Sequence, residues 1–449
     1  MKMKIVWYAP EIGPASSGLR NHNQIFIEYL HNHPDVEELI VVKSPLPEHG
    51  IMPPLLEEIQ GIRYFTPRIS MDYHGAFKSI LQADLKFIER LKIEFFKLAL
   101  RFKGIRRLEF DTIKKWGKIE FGLLGMAIVQ LPYPNPFLEQ IGQCIAKLHP
   151  DIIQSHTEYF SIAGSLARDA AKAHISYQVL VEEEKESLPP RSISAALVER
   201  SANALQWLID TQSVDKYIAA SEFVYKRLQE RGVNSNQIEI IHSPVVLKHL
   251  SPISKSKARS HLGLPQNKRI ILSVGRLLDR KRFIDIIKLM KHLPDDVIFY
   301  LKRSVSATDD ILPSAINQLQ KEIRKNKLEN RVIINSDVIP YENMYQIYSA
   351  ADIAVFPFLY EPFGMCAAEA MAIGLPLIVY NSGYLPNFVD GNGFVVEPQD
   401  LEALQDKIQL LLNDPALATE MGAKGPELVK QYDIHVLGEK LLDIYREFL

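Results

Sequence analysis

The 449-residue sequence contains only two cysteines, Cys144 and Cys366, and they have no paired spacing. That excludes a disulfide framework and a thiolate zinc site, and makes a reducing cytoplasm the expected compartment. Net charge is almost absent as well, with 52 Lys+Arg against 54 Asp+Glu. Such balance argues against binding nucleic acid through bulk charge. No window approaches the ~18–20 apolar residues of a membrane span. The apolar run "IVWYA" behind the charged start is too short for the core of a signal peptide.

What is present is a rhythm. Near-continuous apolar runs of a few residues alternate with longer helical patterns, the signature of βαβ units whose parallel strands are buried on both faces. "KIVWYA", "LIVVK", "IIQSH", "YQVLV" and "YIAAS" form one series. "RIILSVG", "VIFYLK", "RVIINS", "IAVFP" and "PLIVY" form a second. Two doubly wound α/β domains are expected, at residues 1–248 and 249–430, followed by a terminal helix at 431–449. Residues 243–268, rich in Pro, Ser and Lys, read as the linker. Ligands of open α/β sheets bind beyond the carboxyl ends of the strands, so the chemistry belongs in the loops that follow them. Residues 77–118 break the rhythm with long amphipathic helices carrying twelve Lys/Arg against five Asp/Glu. This basic insertion, extending to about residue 130, suits packing on its own domain or on a second copy, and equally suits an anionic lipid surface.

Two stretches carry chemistry. In "EPFGMCAAEA" a helix is expected to start near Gly364, so that the free amides of Gly364, Met365 and Cys366 face the cleft and favour an anion. Glu361 then lies in the preceding loop beside Phe363, and Glu369 one to two turns into the helix. A carboxylate there can accept paired hydrogen bonds from vicinal hydroxyls such as those of a sugar. In "SVGRLLDRKRF", directly after the first strand of the second series, Arg276 and Lys281 can both point over the strand ends, and two cations there suit a diphosphate.

These residues resemble the retaining GT-B glycosyltransferases that share a pattern like E-x-F-G-x-x-x-x-E-A-M-A-x-G-x-P. "EPFGMCAAEAMAIGLP" matches it, with Glu361 and Glu369 as the glutamate pair. "GRLLDRK" is similar to the family's phosphate loop, with Arg282 where a glycine is usual. "SSGLRNHNQIFIEYL" resembles the amino-terminal glycine loop, with Ser17-Gly18 replacing Gly-Gly, and "DIIQSHTEY" maps the histidine near the donor sugar onto His156. Asn387 stands where a glutamate is frequent, and Glu182 to Glu184 stand where many relatives carry a histidine.

The resemblance implies two Rossmann-like domains facing across a cleft, the first for the acceptor and the second for a nucleotide sugar. It implies that Arg276 and Lys281 neutralise the donor diphosphate, the amides of Met365 and Cys366 bind its distal phosphate, and Glu369 holds the ribose. Glu361 and His156 would touch the transferred sugar, and Gly18 would bring backbone close to the phosphates. The usual metal–diphosphate pair, Asp-x-Asp, occurs nowhere, so cationic side chains replace a metal and no cofactor is expected. The expected partners are a UDP-, GDP- or ADP-sugar and a glycan, lipid or small-molecule acceptor. Neither nucleic acid nor a required metal is expected. An anionic membrane surface and a homo-oligomer through residues 77–130 stay open. Other readings are an inactive GT-B scaffold subunit and a nucleotide-sugar 2-epimerase on the same fold. The expected location is cytoplasmic, with the inner membrane face open.

Overall fold

The computed structural model describes residues 2–8, 18–43, 46–48, 55–70, 136–156, 158–179, 193–304 and 314–449. The basic segment 77–130 and Glu182 to Glu184 lie outside them, as does Ser17.

The first half contains β1 (Met3–Tyr8), β2 (Val36–Val42), β3 (Leu46–Glu48), β4 (Leu55–Ile59), β5 (Ile62–Thr66), β6 (Arg68–Ser70), β7 (Ile152–His156), β8 (His174–Val179), β9 (Lys216–Ala219) and β10 (Ile238–Ile240). Eight of them form one sheet in the order β10-β9-β8-β7-β1-β2-β5-β4, while β3 and β6 pair separately. All neighbours in that sheet are parallel except β4 and β5, which form a hairpin turned at Gln60 and Gly61. Helices α1 (Gly18–His31), α2 (Pro136–Ala146), α3 (Glu158–Ala171), α4 (Ile193–Asp210) and α5 (Glu222–Glu230) accompany them. β1 and β7 are buried almost throughout, as continuous apolar runs in a covered parallel sheet must be.

The second sheet comprises β11 (Arg269–Gly275), β12 (Val297–Arg303), β13 (Val332–Asn335), β14 (Ile353–Phe356), β15 (Leu377–Tyr380) and β16 (Gly393–Val396), all parallel, in the order β13-β12-β11-β14-β15-β16. Its helices are α6 (Lys255–His261), α7 (Phe283–Leu289), α8 (Ser314–Lys325), α9 (Met344–Ser349), α10 (Met365–Ala372), α11 (Leu401–Asn413), α12 (Pro415–Gly422) and α13 (Gly425–Leu428). Strand order reverses between β11 and β14, and in the first sheet between β1 and β7. Crevices open at such switch points beyond the strand ends.

The expected linker 243–268 is shorter than its composition suggests, because α6 lies inside it. Ser254 caps this helix through the amide of Lys257, and the buried Arg259 donates to Asp352, to the Ala350 carbonyl and to the Gln266 carbonyl. The helix is anchored by polar contacts, so apolar periodicity does not reveal it.

α14 (Ile434–Phe448) returns to the first sheet. Val245 and residues 432–434 exchange backbone hydrogen bonds where the two crossings meet. Tyr445 donates to Gln154 on β7 at 2.8 Å, Tyr29 of α1 donates to Glu439 at 2.6 Å, and Gly438 leaves room for the Tyr29 ring. Any Cβ at 438 would collide with that ring.

Arg282 shows how this chain departs from a usual glycine. Its backbone is left-handed, φ 49°, which costs an L-residue ~1–2 kcal/mol. Its guanidinium grips the fully buried Asp285 with two hydrogen bonds, and Asp285 also accepts from Tyr380. Arg282→Gly relieves the strain but strips the buried carboxylate of its cation, a loss of ~3–5 kcal/mol when nothing else compensates. With the Tyr380 bond retained, the net expectation is destabilisation by ~1–3 kcal/mol, seen as a lower thermal unfolding midpoint. A variant as stable as the parent would contradict this.

Candidate active site

The switch point of the second sheet brings the two motif loops together. After β11 the chain passes Arg276 and makes one tight turn, Asp279–Lys281, which ends on a lysine exposed by only 7%. After β14 it runs through Phe358, Leu359 and Tyr360 to Glu361. The loops are joined along their backbones: the Leu359 amide donates to the Arg280 carbonyl at 2.8 Å, and the Arg280 guanidinium donates to the Tyr360 carbonyl at 2.7 Å. That alignment delivers the Lys281 ammonium to Glu361 Oε2 as a largely buried, hydrogen-bonded ion pair, with side chains exposed by 9% and 15%. The same ammonium sits 3.6 Å from the Phe358 ring centroid, an attraction that strengthens where water is excluded.

Burial pulls the Lys281 ammonium below its ordinary pKa, opposed by the Glu361 carboxylate. Burial likewise pushes Glu361 up, but Lys281, Arg280 and Arg276 together outweigh it and hold the carboxyl below its ordinary value. Both partners therefore stay charged. Among the described residues the Arg276 side chain has no hydrogen-bond partner and acts on Glu361 through its charge alone.

Gly364 has a left-handed backbone, φ 108°, and begins α10 without a side-chain cap. The first amides of a helix have no intrahelical acceptor, and here no side chain caps them. The remainder of α10 is small and apolar: Ala367, Ala368, Ala370, Met371 and Ala372 are all buried. Glu369 is buried among them, and its Oε2 accepts a hydrogen bond from the Tyr348 hydroxyl. Burial raises its pKa to about 7, with Tyr348 acting in the opposite sense. Cys366 lies within the same field of Lys281, Glu361 and Glu369, and burial lifts its thiol pKa.

Phe363 points elsewhere. Its ring is 3% exposed and stacks on His242 and Tyr384, with Phe388 and Tyr432 edge-on around it. This box joins the interdomain connector to the loop that carries Glu361. Ser221, which caps α5 of the first domain, donates to the Pro362 carbonyl, and the Tyr384 amide donates to the Glu361 carbonyl at 2.9 Å. Phe363 thus serves the site by anchoring its loop. Asn387 is exposed nearby.

At the other switch point His156 ends β7, fully buried, its ring 4.8 Å from Trp7 and 5.7 Å from His22. Among the described residues, neither of its nitrogens has a hydrogen-bond partner. Burial, helped by His22, lowers its pKa, so the ring is neutral. Two neighbours that the sequence reading missed share this condition. His22 Nδ1 lies 3.1 Å from Ser243 Oγ and Asn23 accepts from Trp7, but among the described residues His22 Nε2 and Asn23 Nδ2 have no partner. Unsatisfied buried polar groups are rare enough that such a cluster calls for an explanation. Gly18 opens α1 at the same end of the sheet. Among the described residues, no hydrogen bond or ring contact joins His156 to the Lys281–Glu361 pair. Tyr348 was also missed, because one tyrosine in a six-residue helix carries no periodic signal.

Comparison with known proteins gives this geometry a family. Residues 254–428 match the family Glycosyl transferases group 1, and residues 122–249 match Glycosyltransferase Family 4. D-inositol 3-phosphate glycosyltransferase of Xylanimonas cellulosilytica is 26% identical over 249 residues, 52% of this chain but only 58% of that protein's length. Alpha-maltose-1-phosphate synthase of Mycolicibacterium smegmatis is 25% identical over 349 residues, 70% of this chain and 86% of its own. Among solved structures, sucrose-phosphate synthase from Thermosynechococcus elongatus superposes with a TM-score of 0.70 at 20% identity, covering 99% of both chains. Anabaena HepE, solved with UDP and glucose, gives 0.67 at 16% identity, again over 99% of each. The chain has the GT-B fold, with a segment matching Glycosyltransferase Family 4 followed by one matching Glycosyl transferases group 1, and these matches support a transferase.

Proposed function

We propose that this glycosyltransferase is retaining and metal-independent, moving a hexosyl group from a nucleoside-diphosphate sugar to a hydroxyl of a glycan, lipid or small-molecule acceptor. The observation that carries the reading is the buried Lys281–Glu361 pair at the switch point, with Arg276 beside it and the uncapped α10 behind it. Three positive elements, two side chains and a helix end, converge where a diphosphate would lie, and a carboxylate stands where a sugar would develop positive charge. A metal would supply similar charge. Among the described residues no cluster of three His, Cys, Asp or Glu is arranged to hold one.

In this reading the second domain binds the donor and the first the acceptor. The acceptor oxygen forms a bond to the anomeric carbon while the bond from that carbon to the diphosphate oxygen breaks. The hydroxyl proton passes to the departing phosphate, on the same face of the sugar. Arg276, Lys281 and the amides of Met365 and Cys366 stabilise the charge that leaves, and Glu361 faces the oxocarbenium-like sugar. Glu369 holds the ribose. His156, with His22 and Asn23, offers unpartnered nitrogens to sugar hydroxyls. Their full burial requires that domain motion open the cleft before substrates enter.

Donor identity follows the relatives only loosely. HepE was solved with UDP-glucose, while a relative in Corynebacterium glutamicum is named GDP-mannose-dependent, so UDP- and GDP-sugars lead and ADP-sugars follow. Relatives named for inositol phosphate and maltose phosphate support a polyol or sugar acceptor. No helix among the described residues is long and apolar enough to cross a membrane. The basic segment 77–118 supports a cytoplasmic protein working at the inner membrane face or assembling with its own copies.

The test is nucleoside diphosphate release from a panel of UDP-, GDP- and ADP-sugars, with mass and NMR analysis of the products. Acceptor-dependent release and a product with the donor's anomeric configuration are expected. An inverted product would overturn retention, and an epimerised donor with no diphosphate released would favour the epimerase. Glu361→Gln should lower kcat roughly 100- to 1000-fold with little change in donor KM. An unchanged kcat would remove Glu361 from the mechanism.

A further inference from the structure

Glu369 is buried in an apolar helix, and its surroundings were chosen by more than one element. Tyr348, from α9, is fully buried and spends its hydroxyl on Glu369 Oε2. The other oxygen, Oε1, has no hydrogen-bond partner among the described residues. Tyr341, in the turn before α9, senses the Glu369 charge; its hydroxyl accepts from the Val246 amide on the interdomain connector at 3.3 Å and makes no hydrogen bond to Glu369 among the described residues. On α10 itself Cys366 is the ionisable neighbour. The other elements packed on α10 turn their ionisable groups away. Glu427 and Lys430 pair with each other at the surface, Tyr432 meets Tyr384, and Tyr380 donates to Asp285. No cation contacts Glu369 among the described residues, in contrast to Glu361.

We propose that Tyr348 is a positioning residue for the donor. It fixes one oxygen of Glu369 so that the other is presented to the ribose hydroxyls, and it sustains the anionic form in which that carboxylate accepts them. The proposal rests on the reading of Glu369 as the ribose partner. Two vicinal hydroxyls donate, so they need an acceptor-only carboxylate; the neutral acid replaces one acceptor site with a donor. Burial has moved the Glu369 titration to about pH 7. The sign follows: above pH 7 the group is ionised and binds donor fully, and as pH falls through 7 it protonates and donor affinity is lost. Without the Tyr348 hydroxyl the anion loses its one hydrogen bond, and the titration moves to higher pH.

The experiment is kcat/KM for the nucleotide sugar from pH 5.5 to 9, in the parent and in Tyr348→Phe and Glu369→Gln. Half of the carboxyl is ionised at its pKa and only about a tenth one unit below it, so the parent should lose roughly five-fold in kcat/KM between pH 7 and pH 6. Tyr348→Phe keeps the ring and hence the packing. It should move the midpoint of that loss upward by half a unit or more while leaving kcat at saturating donor within about three-fold. An unshifted midpoint, or a loss carried by kcat alone, would overturn the proposal. Glu369→Gln should show no such titration. If it also leaves donor KM unchanged, the ribose assignment itself fails, which is a different result from an unshifted Tyr348→Phe profile. Should Tyr348→Phe fold poorly, calorimetry of nucleoside diphosphate binding to the parent at pH 6.5, in buffers of different ionisation enthalpy, gives a second reading. Proton release on binding is expected, and none would overturn the proposal.

Discussion

The buried ion pair between Lys281 and Glu361 is the contact on which the rest of the site depends. Its partners are 80 residues apart in the chain and belong to the loops after β11 and β14, the two strands that flank the switch point. A buried ion pair is a poor source of stability, because desolvation of both charges can exceed their attraction. Here the surroundings reduce that cost. The Phe358 face receives the ammonium, Arg280 and Arg276 add positive potential around the carboxylate, and the backbone bonds of Leu359 and Arg280 settle the geometry before the charges meet. An ion pair held this firmly is a fixed dipole in a low-dielectric crevice, which is the kind of preorganisation that stabilises charge developing in a reaction.

The same loop is held from the opposite domain. Ser221 reaches the Pro362 carbonyl, and His242 of the connector stacks on Phe363. Close by, the connector and the returning chain exchange backbone bonds at Val245 and residues 432–434, and α14 then runs along α1 and β7. Displacement of the domains would therefore pull on the Glu361 loop. In the proposed reaction that is the link between closing the cleft and completing the site. The unpartnered nitrogens of His22, Asn23 and His156 lie at the first domain's switch point, where closure would bring polar substrate atoms to them.

Much of this was readable in the chain. Continuous apolar runs located β1, β2, β7, β8 and β9 and five strands of the second sheet, because a strand buried on both faces has no reason to alternate. β3, β4, β5, β6, β10 and β16 were not seen. β4 presents Leu56 and Ile59 to solvent at 51% and 50% exposure, and β10 and β16 are edge strands of three and four residues, too short for a pattern. The helix start at Gly364 was legible from composition, and Glu369 was rightly expected to avoid solvent. The Lys281–Glu361 contact was not legible: both residues were read as facing ligand, and only folding shows that they face each other. Arg282 looked like a lost glycine until Asp285, three residues on, explained why a left-handed arginine is kept. His156 could have been a satisfied histidine at a strand end. Its nitrogens have no partner among the described residues, and its ring packs against Trp7 and His22, which no local pattern connects to it.

The central claim is that Lys281, held by Glu361, is the ammonium that meets the donor diphosphate. Calorimetric titration of UDP, GDP and ADP into the parent and into Lys281→Met measures this without any acceptor. A charge-assisted hydrogen bond is worth ~1.5–3 kcal/mol, so the variant should bind the preferred nucleoside diphosphate roughly ten- to a hundred-fold more weakly. The same affinity in both proteins, with the variant folded, would contradict the account.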